Sequence, residues 1–79
     1  MIQLLFFGIT QDIVKQHKID LKIEKSILVS ELKSMLFKQY PALKKFSTFA
    51  VAVNEKYATE DTLINDNDVV AIIPPVSGG

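Results

Sequence analysis

Apolar residues along the chain follow two spacings, one typical of strands and one typical of a helix. Residues 2–7 are almost wholly apolar and are followed by Gly8, which predicts a short strand. Residues 18–24 alternate strictly between polar and apolar, which indicates a half-exposed strand. The two strands are close enough in sequence to pair as a hairpin, with a short helix or loop over residues 10–15 between them.

A helical period then replaces the alternation. Pro41 cannot continue a helix interior and is predicted to end this one, while Ser26 or Ser30 is expected to cap its start. The apolar side of the predicted helix carries Val29, Leu32, Met35, Leu36 and Tyr40.

The second half of the chain returns to strand patterns. Residues 47–53 predict a third strand, residues 54–56 a turn, and residues 57–59 a short return strand. Residues 65–68 form a predicted turn before Val69–Ile73, whose unbroken apolar character favours a central, buried strand. Pro74 cannot donate to a ladder and ends it. This order predicts an α+β roll, in which a mixed sheet of four to five strands wraps one main helix.

One main helix covers only one face of such a sheet, so the other face must carry apolar side chains too. If Ile2, Leu4 and Phe6 point toward the helix, their alternating neighbours point away from it. Either a turn or the tail covers these residues, or they form an exposed patch of the kind that binds another protein. The outward set is Leu5, Phe7, Val69, Ala71 and Ile73.

Composition narrows the function classes. The 79 residues, 48% of them hydrophobic, suit one small domain with a real core. The formal charge is zero and every basic residue is Lys, which argues against nucleic-acid binding. Cysteine is absent and no apolar run reaches membrane-spanning length. We therefore expect a cytoplasmic protein with neither a nucleic-acid nor a membrane partner.

Candidate chemistry is sparse until the last residues. His17 is the one histidine, and the acidic turn near residue 66 lacks calcium-loop spacing, so no metal site is predicted. The carboxylate of Gly79 becomes reactive if a partner adenylates it with ATP. Two glycines lack Cβ atoms and can enter a narrow pocket, and Pro74 and Pro75 favour a stiff stalk. Fully extended, residues 74–79 span roughly 20 Å.

Three stretches resemble the small, sulfur-carrying subunit of molybdopterin synthase, and the likeness runs along essentially the whole chain. They are the opening Ile-x-Leu-Leu-Phe-Phe strand, an Ala-Val-Asn element at residues 52–54, and the ending Asp-Val-Val-Ala-Ile-Ile-Pro-Pro-Val-Ser-Gly-Gly. The last is the specific one, because the family typically ends on Pro-Pro-Val-small-Gly-Gly. Asn67 stands where the family usually has Gly, and Asn tolerates the left-handed conformation of that turn.

The resemblance implies a ubiquitin-like β-grasp domain over residues 1–73 and a flexible tail over residues 74–79. It implies that an E1-like enzyme adenylates Gly79 and that a sulfur donor protein converts it to a thiocarboxylate. ATP is then used by the activating partner, and this chain binds no cofactor. The tail would insert into the large synthase subunit, which holds the cyclic pyranopterin precursor. The implied insertion residues are Pro74, Pro75, Val76, Ser77 and Gly78, and the implied docking residues are Phe7, Tyr57 and Ile73.

Other functions share the Gly-Gly end. A related carrier supplies sulfur for thiamine or for tRNA thiolation, and a ubiquitin-like modifier is joined to lysines through its last glycine. A non-covalent binding module with an irrelevant tail is a further alternative. None of these gives the chain an active site of its own, so its standing as an enzyme stays open.

Overall fold

A computed structural model describes residues 1–46 and 49–75 of the chain. The elements in chain order are β1 (Ile2–Phe6), α1 (Gly8–Val14), β2 (Lys18–Leu21), β3 (Ile27–Leu28), α2 (Val29–Gln39), a 3₁₀ helix (Pro41–Phe46), β4 (Ala50–Val53), β5 (Lys56–Tyr57), β6 (Leu63–Ile64) and β7 (Val69–Ile73).

Five strands form one mixed sheet in the order β2-β1-β7-β4-β5. β1 runs parallel to β7, and the other pairs are antiparallel. β7 occupies the middle of the sheet, as its unbroken apolar sequence predicted. The α+β roll predicted from the sequence is therefore confirmed. β3 and β6 pair separately as a two-stranded sheet, which the sequence analysis did not predict.

The core lies between the inner face of the large sheet and α2. Val29, Leu32 and Leu36 of α2 are buried, but Met35, which was predicted on the same apolar side of the helix, is 45% exposed. Successive helix residues are about 100° apart, which turns position 35 away from the buried stripe. The sheet contributes Ile2, Leu4, Phe6, Val51, Val70 and Ile72 to the core.

A serine was predicted to cap helix α2, but the N-cap residue is Leu28. The Leu28 N–H donates to the Glu31 side chain (2.8 Å), which satisfies one free amide at the helix start. The Ser26 hydroxyl contacts the Asn65 side-chain oxygen instead. The backbone N–H of Ser30 donates to the Glu60 carbonyl (3.1 Å), which ties the helix start to the loop before β6.

Several element ends differ from their predicted positions. β2 stops at Leu21 rather than at residue 24, because its partner β1 begins at Ile2, which already pairs with Leu21. The 3₁₀ helix occupies residues 41–46, between the predicted helix and the predicted third strand, where no regular element was predicted. β4 begins at Ala50 among the described residues, whereas the predicted strand began at residue 47, which lies outside them.

Asn54 and Glu55 close the β4–β5 hairpin, and both have positive φ (51° and 72°). Two-residue turns of this kind favour Asn-Gly. The Asn54 side chain accepts the Val69 N–H and donates to Asp68, each at 2.9 Å. Glu55 carries the strain of a side chain in left-handed backbone.

Replacing Glu55 with glycine is expected to raise the free energy of unfolding by about 0.5–1 kcal/mol, because it removes that strain. Asn54→Gly is the matched variant: it also frees φ but loses both side-chain hydrogen bonds, so we expect a loss of about 1 kcal/mol. Urea unfolding of both variants measures the difference. Shifts of the same sign would contradict this account of the turn.

Candidate functional site on the open sheet face and the tail root

The register of the large sheet brings the three predicted docking residues to one face. Ile72 and Phe6 pair and are both buried, so the residues that follow them, Ile73 and Phe7, turn toward the opposite face. Tyr57 lies on the same face, because it pairs with Ala52 and Ala52 pairs with the outward-facing Ala71. We call this side of the sheet, away from α2, the open face.

Exposure on the open face is uneven. Tyr57 is 79% exposed and Phe7 is 48% exposed, which leaves both aromatic rings available to a partner. Ile73 is half-buried, as are Leu5, Val69 and Ala71. The open face is therefore a partly covered apolar surface on which the two aromatic rings are the most exposed of the predicted docking residues.

A shallow depression lies in the middle of the open face. Leu5, Phe7, Val69 and Ala71 line it, and all four belong to the outward set predicted from alternation. Asn54 and Glu55 complete its lining. Only a turn was predicted at these two residues, because their place beside the depression depends on the pairing of β4 with β7, which is a long-range contact.

The predicted tail begins at this same region. β7 ends at Ile73, Pro74 is half-buried, and Pro75 is exposed. A β-carbon on Gly8 would lie 3.1 Å from Cγ of Pro74, so the two residues are in close contact. The predicted tail residues Val76, Ser77 and Gly78, and the predicted reactive Gly79, lie outside the described residues.

Other chemistry is scarce in the described part of the chain. Residues 1–46 and 49–75 hold no group of three or more His, Cys, Asp or Glu residues that could bind a metal ion. None of the helices there is both long and apolar enough to cross a membrane. Far from the tail root, the Met1 ammonium donates a hydrogen bond to Asp66, which lowers the pKa of that carboxyl.

The fold and the placement of the tail root define a small ubiquitin-like β-grasp protein. SAMP1 from Haloferax volcanii, a small archaeal modifier protein, superposes with a TM-score of 0.82 at 20% identity, covering 99% of this chain and 98% of its own. A complex of subunits 1 and 2 of the molybdopterin-converting factor from Helicobacter pylori contains a chain with a TM-score of 0.67 at 28% identity. That match covers 99% of this chain and 97% of the other.

Residues 4–79 match the ThiS family, so the chain belongs to that family. The molybdopterin synthase sulfur carrier subunit of Dictyostelium discoideum is 34% identical over 85 residues, a match that covers 98% of this chain and 94% of the relative. These similarities confirm the resemblance that the strand and tail motifs indicated.

Proposed function

We propose that this chain is the sulfur carrier of a molybdopterin synthase. The proposal rests on one observation, which is that the apolar open face and the root of the tail lie next to each other. The open face presents Phe7 and an apolar depression, and the root of the Gly-Gly tail leaves the sheet beside it. A partner that covers the open face would therefore also receive the tail.

The docking surface has the chemistry of a protein contact. Tyr57 and Phe7 supply exposed aromatic area, which contributes strongly to binding when a partner covers it. Around them the half-buried aliphatic residues of β1 and β7 form a fixed apolar floor. The occupant we propose is the large synthase subunit, and the H. pylori complex of subunits 1 and 2 supports it by analogy.

Sulfur loading follows from the chemistry of a carboxylate. An oxygen of Gly79 attacks the α-phosphorus of ATP in an E1-like enzyme, which releases pyrophosphate and leaves an acyl adenylate. A sulfur donor protein then supplies sulfur at the oxidation level of sulfide, which attacks the acyl carbon and displaces AMP, and the product is a thiocarboxylate. In the large subunit this sulfur forms a bond to a carbon of the cyclic pyranopterin precursor and displaces an oxygen substituent from it. Water then hydrolyses the resulting thioester, which leaves the sulfur on the pterin as a thiolate and restores the carboxylate of Gly79.

Each part of the chain has a separate task in this scheme. The open face docks, Pro74 to Gly78 insert, and Gly79 carries the sulfur. The acid–base groups and the pyranopterin contacts belong to the large subunit, so this chain binds no cofactor. ATP enters only with the activating partner, and the compartment we propose for the reaction is the cytoplasm.

Intact mass spectrometry tests the proposal directly. The chain is incubated with an E1-like adenylating enzyme, a sulfur donor and ATP, and we expect a product in which one oxygen is replaced by sulfur. Fragmentation should place the replacement on Gly79. The loaded chain should then convert a cyclic pyranopterin precursor only when the large subunit is added.

Two other results would point to other functions. Conjugates with lysines of added proteins would support a ubiquitin-like modifier. A loaded chain that serves thiamine or tRNA thiolation, but not the large synthase subunit, would support one of the other carrier functions. A chain that never becomes loaded with any adenylating partner would overturn the carrier proposal.

A further inference from the structure

The turn that follows β1, which is the N-cap and first turn of α1, contacts the chain where β7 ends. The Phe7 N–H donates to the Ile72 carbonyl (3.3 Å), one residue before the end of the strand. The next residue, Gly8, lies against the ring of Pro74. The root of the tail is therefore held by neighbours that are more than sixty positions away in sequence.

Thr10 closes this turn from inside the domain. Its side chain is fully buried, and its hydroxyl donates to the Phe7 carbonyl (2.6 Å). The hydroxyl oxygen also accepts the Phe7 N–H (3.1 Å), which is shared between Thr10 and the Ile72 carbonyl. The Ile72 carbonyl oxygen lies 3.5 Å away. Because a hydroxyl has a single proton, the shorter contact with Phe7 takes it. Thr10 thus fixes the shape of the turn and reaches Ile72 mainly through Phe7.

Gly8 suits the contact with Pro74 in two independent ways. Its φ of +55° is left-handed, a conformation that glycine adopts without steric cost. A β-carbon there would lie 3.1 Å from Cγ of Pro74, which is shorter than the 3.5–4.0 Å separation that carbon atoms prefer. A side chain at position 8 would therefore push Pro74 away from the turn.

We propose that Phe7, Gly8 and Thr10 form a seat for Pro74, the tail seat, which fixes the direction in which the tail leaves the domain. Pro74 and Pro75 each hold φ near −65°, so the position of Pro74 sets the course of the chain that follows. A change of angle at Pro74 therefore changes the direction in which the chain leaves β7, and an error of about 1 Å at a reacting group can slow a reaction about 100-fold. The seat is a positioning device, and this role rests on the proposed function.

Gly8→Asn is the main test, because asparagine tolerates left-handed φ and so isolates the contact of the new β-carbon with Pro74. With thiocarboxylated chain and saturating large subunit, we expect single-turnover sulfur transfer to slow about 10- to 100-fold. In a Pro74→Ala background the same change should slow transfer less than about threefold, because the ring is gone. Gln11→Ala, an exposed position on α1, should transfer like the parent.

A second pair of variants tests the same turn without a substitution at position 8, where a new side chain could prevent folding. Thr10→Val keeps the side-chain shape but removes the hydroxyl that closes the turn, and transfer should slow. Thr10→Ser restores the hydroxyl and should recover at least half of the parent rate. In the free parent chain, a nuclear Overhauser effect is expected between the Gly8 Hα and the Pro74 ring protons, and it should weaken in Gly8→Asn.

Other results would overturn either the tail seat or the proposed function. Absence of the nuclear Overhauser effect between Gly8 and Pro74 in the parent would overturn the tail seat alone. A Gly8→Asn chain that transfers sulfur as fast as the parent would do the same. Equal slowing by Gly8→Asn with and without the Pro74 ring would also overturn it. A parent chain that transfers no sulfur would instead overturn the proposed function, and the positioning role with it.

Discussion

A chain that ends at Ser77 is expected to lose sulfur transfer by at least about a thousandfold, because the reacting group is no longer positioned. Removing Gly78 and Gly79 shortens an extended tail by roughly 7 Å. It also places a residue with a side chain at the terminus, which hinders entry into a narrow pocket of the partner. The measurement is the initial rate of sulfur transfer with the large subunit, the adenylating enzyme, the sulfur donor and ATP.

A chain whose Gly79 ends in a carboxamide is the matched control for length. It keeps every residue but offers no carboxylate to ATP, so it should be equally inactive while binding the large subunit like the parent. Both chains should unfold within about 0.5 kcal/mol of the parent, since neither change alters a residue of the described core. More than a tenth of the parent transfer rate in the chain that ends at Ser77 would contradict the tail mechanism.

Much of the fold could be predicted because the strong patterns are local. The apolar run of β7 indicated its central position, and alternation assigned Leu4 and Phe6 to the core. The two-stranded β3–β6 sheet could not be predicted, since two residues are too few to show a period. The end of β2 was also out of reach, because it depends on where its partner begins.

In the candidate site too, local patterns could be predicted from the sequence and long-range contacts could not. Alternation placed Phe7 and Ile73 on the open face, and the family resemblance supplied Tyr57. The contribution of Asn54 and Glu55 to the depression depends on the pairing of β4 with β7, which is a long-range contact. The contact of Gly8 with Pro74 joins the two ends of the chain, so no local pattern could have indicated it.

Phe7→Asp is expected to weaken binding to the large subunit about 100-fold or more. Covering the exposed half of this phenylalanine contributes about 1 kcal/mol, and a carboxylate buried in its place costs about 2 kcal/mol or more. A total of about 2.7 kcal/mol corresponds to about 100-fold. Stability should change by less than about 1 kcal/mol. Phe7 is about half exposed and stands at the N-cap of α1, where aspartate is among the preferred residues.

Leu63→Asp is the matched control for Phe7→Asp. Leu63 is similarly exposed, at 54%, but it lies on β6 of the separate two-stranded sheet. The dissociation constant of Leu63→Asp should therefore stay within about twofold of that of the parent, because exposed positions outside an interface contribute little to binding. Isothermal titration calorimetry gives both constants, and thermal unfolding checks that both variants fold. Equal weakening by the two variants, or no weakening by Phe7→Asp, would show that the large subunit binds elsewhere.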